Sequence, residues 1–324
     1  MQKWTVFFVA LISLGLGCGN RSGSTGDGTG RESLQKTASR NLAQTPLNIM
    51  ATTGMVADAV AHVGGTMVTV TPLMGPGVDP HLYKASAGDI ARLNGAELIF
   101  YNGLNLEGKL SDLFVKLSRQ RPVVAVTEGV ARDALREPPE FAGHYDPHLW
   151  FDVALWSQTL PTIAEALSQA APAHAKTFAQ QAATYAKELR QLDTWCRATL
   201  GEIPAERRVL VTAHDAFGYF GRAYDVEVIG LQGISTVSEF GLNDLSRIVA
   251  LLVERQIPAV FVESSIPRRS IEAVVVGARA ARHVVRIGGE LYSDAMGAPN
   301  TSAGTYVGMV RSNVETIVAA LRRE

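Results

Sequence analysis

From Pro46 onward the chain alternates between short runs rich in β-branched and aromatic residues and stretches with helical periodicity. Strands are expected at 47–52, 68–73, 97–101 and 123–126, then at 208–212, 259–262 and 283–287. Helices are expected between them at 54–63, 87–93, 153–169, 243–256, 270–282 and 305–322. Strands separated by helices do not pair as hairpins. They form parallel sheets with helical cover. The expected fold is therefore α/β with two lobes, each a mainly parallel sheet flanked by helices. The lobes are placed at 46–170 and 201–324. Between them, residues 171–200 carry no Gly or Pro after Pro172, which predicts one long helix of about 45 Å. A single rigid helix between lobes restricts large hinge motion.

Composition removes several function classes. Of 324 residues, 47% are hydrophobic, too many for a disordered chain. Lys+Arg (30) balances Asp+Glu (31) for a net charge of −1, so nothing suggests a nucleic-acid partner. Cys18 and Cys196 cannot build a disulfide scaffold or a cysteine-based zinc site. Cys196 falls on the long helix and reads as a small buried hydrophobe.

Residues 1–18 read as an export signal. Lys3 precedes an apolar run, residues 5–17, that is too short to span a bilayer but suits a signal-peptide core. Leu14-Gly15-Leu16-Gly17-Cys18 resembles a bacterial lipoprotein processing site, although Gly15 stands where an aliphatic residue is usual. That resemblance implies an acylated Cys18 and a membrane anchor. Ordinary cleavage nearby is the other reading. Residues 19–45, rich in Gly, Ser, Thr and Arg, read as a flexible tether. The chain is thus expected in the cell envelope, either periplasmic or as a membrane-anchored lipoprotein.

In open α/β sheets, ligands bind beyond the carboxyl ends of the strands. Four metal-capable side chains fall there: His81, His148, His214 and Asp294, two in each half. Three imidazoles and one carboxylate suit a four-coordinate divalent ion such as zinc, and imidazole also accepts manganese and iron. Spacing alone leaves structural roles open, because the chain holds seven histidines.

The blocks around these residues carry more. Asp79-Pro80-His81, Asp146-Pro147-His148-Leu149-Trp150, Thr212-Ala213-His214-Asp215 and Gly289-Glu290-Leu291-Tyr292-Ser293-Asp294 resemble the metal-binding blocks of the TroA-like (cluster A-I) solute-binding proteins of zinc and manganese ABC importers. Asn102 to Lys109, Phe261 to Pro267 and Gly304-Thr305-Tyr306 agree, and the similarity runs in order from about Asn48 to Leu321. The resemblance implies a metal held between two lobes by His81, His148, His214 and Asp294, and delivery to a membrane permease. Members devoted to manganese often carry Glu at the third position. Here His214 stands there, which points to zinc, with manganese as the alternative. The long His-rich loop of many zinc receptors is reduced to His144.

The remaining signals have plainer readings. His144 and His148 have H-x3-H spacing, but Pro147 between them argues against a helix, leaving His144 as a loop residue. His62, His174 and His283 read as structural. Gly103 to Leu110 nearly matches a P-loop but lacks the final hydroxyl residue. Glu263 and Asp215 are candidates to orient imidazoles. The expected function is a monomeric metal receptor and not an enzyme. A zinc hydrolase is the competing class, and an adhesin or metal scavenger on the same fold is a further alternative. A hydrolase would keep an open coordination position, and neither H-E-x-x-H nor G-x-S-x-G occurs.

Overall fold

Eight strands and ten helices, with short 3₁₀ segments between them, make up the described residues. The structure, a computed structural model, describes residues 45–322 apart from 142 and 239. The expected export signal, Cys18 and the tether up to residue 44 lie outside the described residues.

The first half holds β1 (Leu47–Ala51), α1 (Gly54–Gly64), β2 (Val68–Pro72), α2 (Ala87–Gly95), β3 (Leu98–Tyr101), α3 (Ser111–Leu117) and β4 (Val123–Ala125). Its strands form one parallel sheet in the order β2-β1-β3-β4. β2 is an edge strand with no fully buried residue, which is where Pro72 is tolerated. β3 is buried along most of its length and reads as a continuous apolar run, as an inner parallel strand should. Thr53 caps α1 by accepting from Val56 N–H, and Ser86 with Asp89 forms a capping box on α2.

The stretch expected as one helix over 153–169 is divided. α4 (Val153–Trp156) ends in a 3₁₀ turn, and α5 (Leu160–Ala170) restarts with Pro161 in its first turn. Proline lacks the N–H that would continue the ladder and its ring crowds the preceding turn, but it is welcome at a helix start. The long helix is α6 (Ala175–Leu200), which begins after a 3₁₀ turn at Pro172–His174. Phe178, Ala182, Tyr185, Leu189, Leu192, Cys196 and Leu200 form its buried stripe at helical spacing. Its 26 residues give a length of about 39 Å.

The second half holds β5 (Val209–His214), α7 (Gly218–Tyr224), β6 (Glu227–Gln232), α8 (Leu242–Glu254), β7 (Ala259–Glu263), α9 (Arg269–Ala280), β8 (Arg286–Leu291) and α10 (Tyr306–Leu321). β5 pairs with β6 and β7 with β8, both in parallel, and β5 lies beside β7. β6 was not anticipated, because Gly230 breaks its apolar run. β8 runs later than expected, through Gly288 and Gly289, and His283 sits in the turn before it, donating from Nε2 to Ile257 O at 2.8 Å.

The largest core cluster joins both halves. Ile49 and Phe100 of the first sheet, the stripe of α6, Tyr306 and Ile317 of α10, and Phe261 and Leu291 of the second half belong to it. The long helix therefore packs along both halves as well as linking them, touching α1, α5 and α10. Smaller clusters fill the space under α2 and α3 in one half and under α8 and α9 in the other. Among the described residues no helix is long and apolar enough to cross a membrane.

Candidate metal centre

The four expected residues converge. One ligand atom from each of His81, His148, His214 and Asp294 lies within 4.8 Å of all the others, and all four residues are buried. His214 is the last residue of β5, and Asp294 follows β8 by three positions. His148 stands just before a 3₁₀ turn at Leu149–Phe151, whose exit into α4 is capped by Asp152 accepting from Leu155 N–H. His81 lies in the irregular stretch between β2 and α2.

The distances fit a small cation. His81 Nε2 is 3.3 Å from His148 Nε2, and Asp294 Oδ2 is 3.3 Å from His214 Nε2. Asp294 Oδ1 lies 3.4 Å from His148 Nε2, and Oδ2 lies 3.7 Å from His81 Nε2. Donors placed tetrahedrally at zinc distances near 2.0–2.1 Å stand about 3.3–3.4 Å apart. Both Asp294 oxygens and His214 Nε2 are buried and make no hydrogen bond. Polar atoms left this way cost free energy unless something else satisfies them, and a cation does so for all three.

Carboxylates stand behind two of the rings. Asp146 Oδ1 accepts from His148 Nδ1 at 2.8 Å and from His148 N–H at 3.0 Å, while Oδ2 pairs with Arg136. Glu263 Oε2 lies 2.6 Å from His214 Nδ1, and Oε1 accepts from His214 N–H at 2.9 Å. At His148 a proton kept on Nδ1 by Asp146 leaves the Nε2 lone pair free, whereas Glu263 stands behind His214 as a close charge. Tyr219 ties this support to the second half: its hydroxyl donates to Asp146 O and accepts from Arg136 N–H. A Cβ on Gly218 would overlap the Arg136 guanidinium, so glycine at that position lets the arginine pass.

The charge states follow. Burial pushes His81 down to about 3, despite the Asp294 charge. Burial also opposes a charge on His148, but the hydrogen bond to Asp146 and the nearby Asp294 charge outweigh it and carry the ring up to about 9. His214 is likewise raised well above its usual value against burial, by Glu263 and Asp294. Asp294 is held well below the carboxylate range, because His214 and His148 more than offset its burial.

Of the two residues expected to orient imidazoles, Glu263 does contact a ring. Asp215 instead uses its N–H to reach Gln232 O at 3.1 Å, and its carboxyl is raised by burial and by Asp146. Asp146, Arg136 and Trp150 were not anticipated in supporting roles. The repeated Asp-Pro-His was the available signal for Asp146. His144 is exposed against Phe141, His62 stacks on Tyr185, and His174 meets Phe178. The P-loop-like stretch is closed by buried Glu107, which accepts from Thr52 Oγ1, Asn102 N–H and Gly103 N–H. Cys196 is buried as expected, and burial pushes its thiol up to about 12.

Comparison with known proteins gives consistent matches. The family ZnuA, described as zinc-uptake complex component A, periplasmic, matches residues 49–320. The zinc-binding protein TroA of Treponema pallidum is 50% identical over 278 residues, covering 85% of this chain and 89% of that protein. The manganese-binding lipoprotein MntA of Bacillus subtilis is 48% identical over 295 residues, covering 91% of this chain and 94% of that one. The solved structure of the periplasmic zinc-binding protein TroA from Treponema pallidum matches with a TM-score of 0.83 at 50% identity, over 86% of this chain and 100% of that chain.

Proposed function

The chain belongs to the ZnuA family, and from that premise we propose that it captures one divalent transition-metal ion between His81, His148, His214 and Asp294. The protein is a binding component of an ABC importer that acts outside the cytoplasm on a metal cargo, and it is not an enzyme. The observation that supports the assignment of ligands is that buried donor atoms from both halves of the chain lie within 4.8 Å of one another, four of the contacts being 3.3–3.7 Å.

Zinc is the favoured cargo, since three imidazoles and one carboxylate oxygen fill a tetrahedral shell. Manganese is the alternative. Both Asp294 oxygens face the rings, so a second carboxylate oxygen is at hand for an ion that prefers more oxygen ligands. One relative is named for each metal. Four protein donors leave no open position of the kind a hydrolytic zinc needs.

The decisive measurement is zinc titration of metal-free protein against a competing chelator. The expected result is one ion per chain, with His214→Ala and Asp294→Ala each weakening binding by at least about a hundredfold. Wild-type affinity in both variants would overturn the ligand assignment.

Delivery is to the membrane permease of the importer, the protein is monomeric, and Cys18 carries a lipid that anchors it to the envelope. The anchor is supported by the position of Cys18 directly after an apolar run and by the lipoprotein name of the B. subtilis relative. Cys18→Ala is expected to move the protein from the membrane to the soluble fraction, and a membrane-bound C18A would refute anchoring through this residue.

A further inference from the structure

His81 is held differently from the other two imidazoles. Among the described residues no carboxylate pairs with its Nδ1, whereas Asp146 and Glu263 stand behind His148 and His214. It sits on a stretch without helix or strand that contains Gly75 and Gly77, the latter with φ of +72°. Something other than secondary structure must fix its place.

The contacts lead to one residue in the other half. Asp79 Oδ1 accepts from His81 N–H at 2.8 Å, and Asp79 Oδ2 accepts from Thr236 Oγ1 at 2.6 Å. Thr236 is buried, in the turn that follows β6. That turn is strapped back to the strand end, because Gln232 Nε2 donates to Ser238 O at 2.7 Å and to Thr236 O at 3.4 Å. Gln232 is in turn the register partner of His214 across the β5–β6 pair. A continuous set of protein contacts thus runs from His214 through Gln232, Thr236 and Asp79 to His81, and none of them involves a metal.

We infer that Thr236 is a positioning residue for His81: its hydroxyl latches the Asp79 carboxylate across the two halves and so controls how fast the bound ion is released. The inference rests on the proposed ligand set. Without the hydroxyl, Asp79 keeps its turn with His81 but loses its anchor on the opposite half, and the irregular stretch can carry His81 away from the other donors. The effect is read in dissociation, because a His81 no longer held beside the other donors gives up the ion sooner. A hydrogen bond that only stabilised the fold would change unfolding and leave the release rate alone.

The test is zinc release from the full chain into excess chelator, followed by stopped flow, for wild type, T236V, T236S, D79A, T236V/D79A and H81A. T236V is expected to release zinc about tenfold faster, in the range seen when residues supporting a metal ligand are removed. T236S keeps the hydroxyl and should release at the wild-type rate. D79A should be at least as fast as T236V, and adding T236V to D79A should change nothing further, since the two act through one bond. A wild-type rate for T236V beside a fast H81A would sink the latch and leave the ligand set intact. Equal acceleration by T236V with and without Asp79 would also sink it. A wild-type rate for H81A would instead bring down the ligand assignment itself.

Discussion

The tripeptide Asp-Pro-His occurs twice in this chain, at 79–81 and 146–148, and the two copies do the same thing locally and different things globally. In both, the aspartate accepts the histidine's backbone N–H, at 2.8 Å in the first and 3.0 Å in the second. That turn is what Asp followed two residues on by an N–H tends to make. Beyond it the copies diverge. Asp146 is fully buried, reaches the ring of its own histidine and pairs with Arg136. Asp79 is half-buried and points to Thr236 on the other half. After His148 come Leu149, Trp150 and Phe151, all buried, whereas Leu82 after His81 is 49% exposed. A short motif sets a turn, and the packing around it decides whether the ring is locked or held at a distance.

Titration separates the two copies most. In the metal-free protein His148 is carried up to about 9 and His214 is raised well above its usual value, whereas His81 is pushed down to about 3. Under the proposed ligand set, a cation near neutral pH displaces a proton from each of the first two rings and none from the third. Affinity rises with pH, by up to about a hundredfold per unit while both rings remain protonated in the free protein. Zinc calorimetry in buffers of different ionisation enthalpy should count about two protons released at pH 7. A count near zero would break the contrast between the copies. Stability of the metal-free chain carries the same signature. The contribution of His148, raised above the 6.5 of the unfolded chain, is fully present below pH 6.5 and is lost as pH rises through about 9. His81 acts oppositely, its share being lost as pH falls from 6.5 towards 3.

Removing each aspartate sharpens the comparison next. Asp146→Ala frees the His148 ring and leaves Arg136 without its partner. Metal affinity should fall about a hundredfold, and the metal-free protein should lose about 2 kcal/mol in denaturant, less than a fully buried pair because Arg136 is partly exposed. Asp79→Ala should weaken binding only about tenfold and change metal-free stability by less than about 1 kcal/mol. If D79A proved the more damaging on both measures, the ranking of the two copies would be reversed.

Much of this architecture is legible in the sequence. Strand–helix alternation gave parallel sheets, and the rule that ligands gather at carboxyl strand ends fits the placement of His214, which ends β5, and of Asp294, which follows β8, while His81 and His148 lie on longer connections. The long helix could be read from the lack of breakers after Pro172. What could not be read were relations between distant segments. The Asp146–Arg136 pair, the contact of Trp150 with Ser293 and the reach of Thr236 to Asp79 join residues whose neighbours in sequence say nothing of one another. β6 escaped because Gly230 looks like a strand breaker. A Cβ there would run into the backbone of Asp215, so the glycine is what lets β6 lie close beside the chain leaving His214.

The smallest expected effect concerns Trp150, whose positional counterpart after the first Asp-Pro-His, Tyr83, donates instead to Asp89 within its own half. Its indole N–H donates to Ser293 O at 3.1 Å, next to Asp294, and its backbone carbonyl accepts from the Tyr306 hydroxyl at 2.7 Å. The indole thus ties the His148 segment to the Asp294 segment across the two halves. Trp150→Phe keeps most of the apolar bulk and the ring against His148 while removing that one donor and leaving the Ser293 carbonyl buried without it. A lost hydrogen bond of this kind costs about 1 kcal/mol, so affinity should drop by no more than about fivefold. The loss should appear with zinc and manganese alike, since the bond positions Asp294 and does not choose between donors. A larger loss for one metal than for the other in paired chelator competitions would mean that Trp150 shapes the coordination sphere directly, and that the second copy of the motif is tuned for selectivity as well as rigidity.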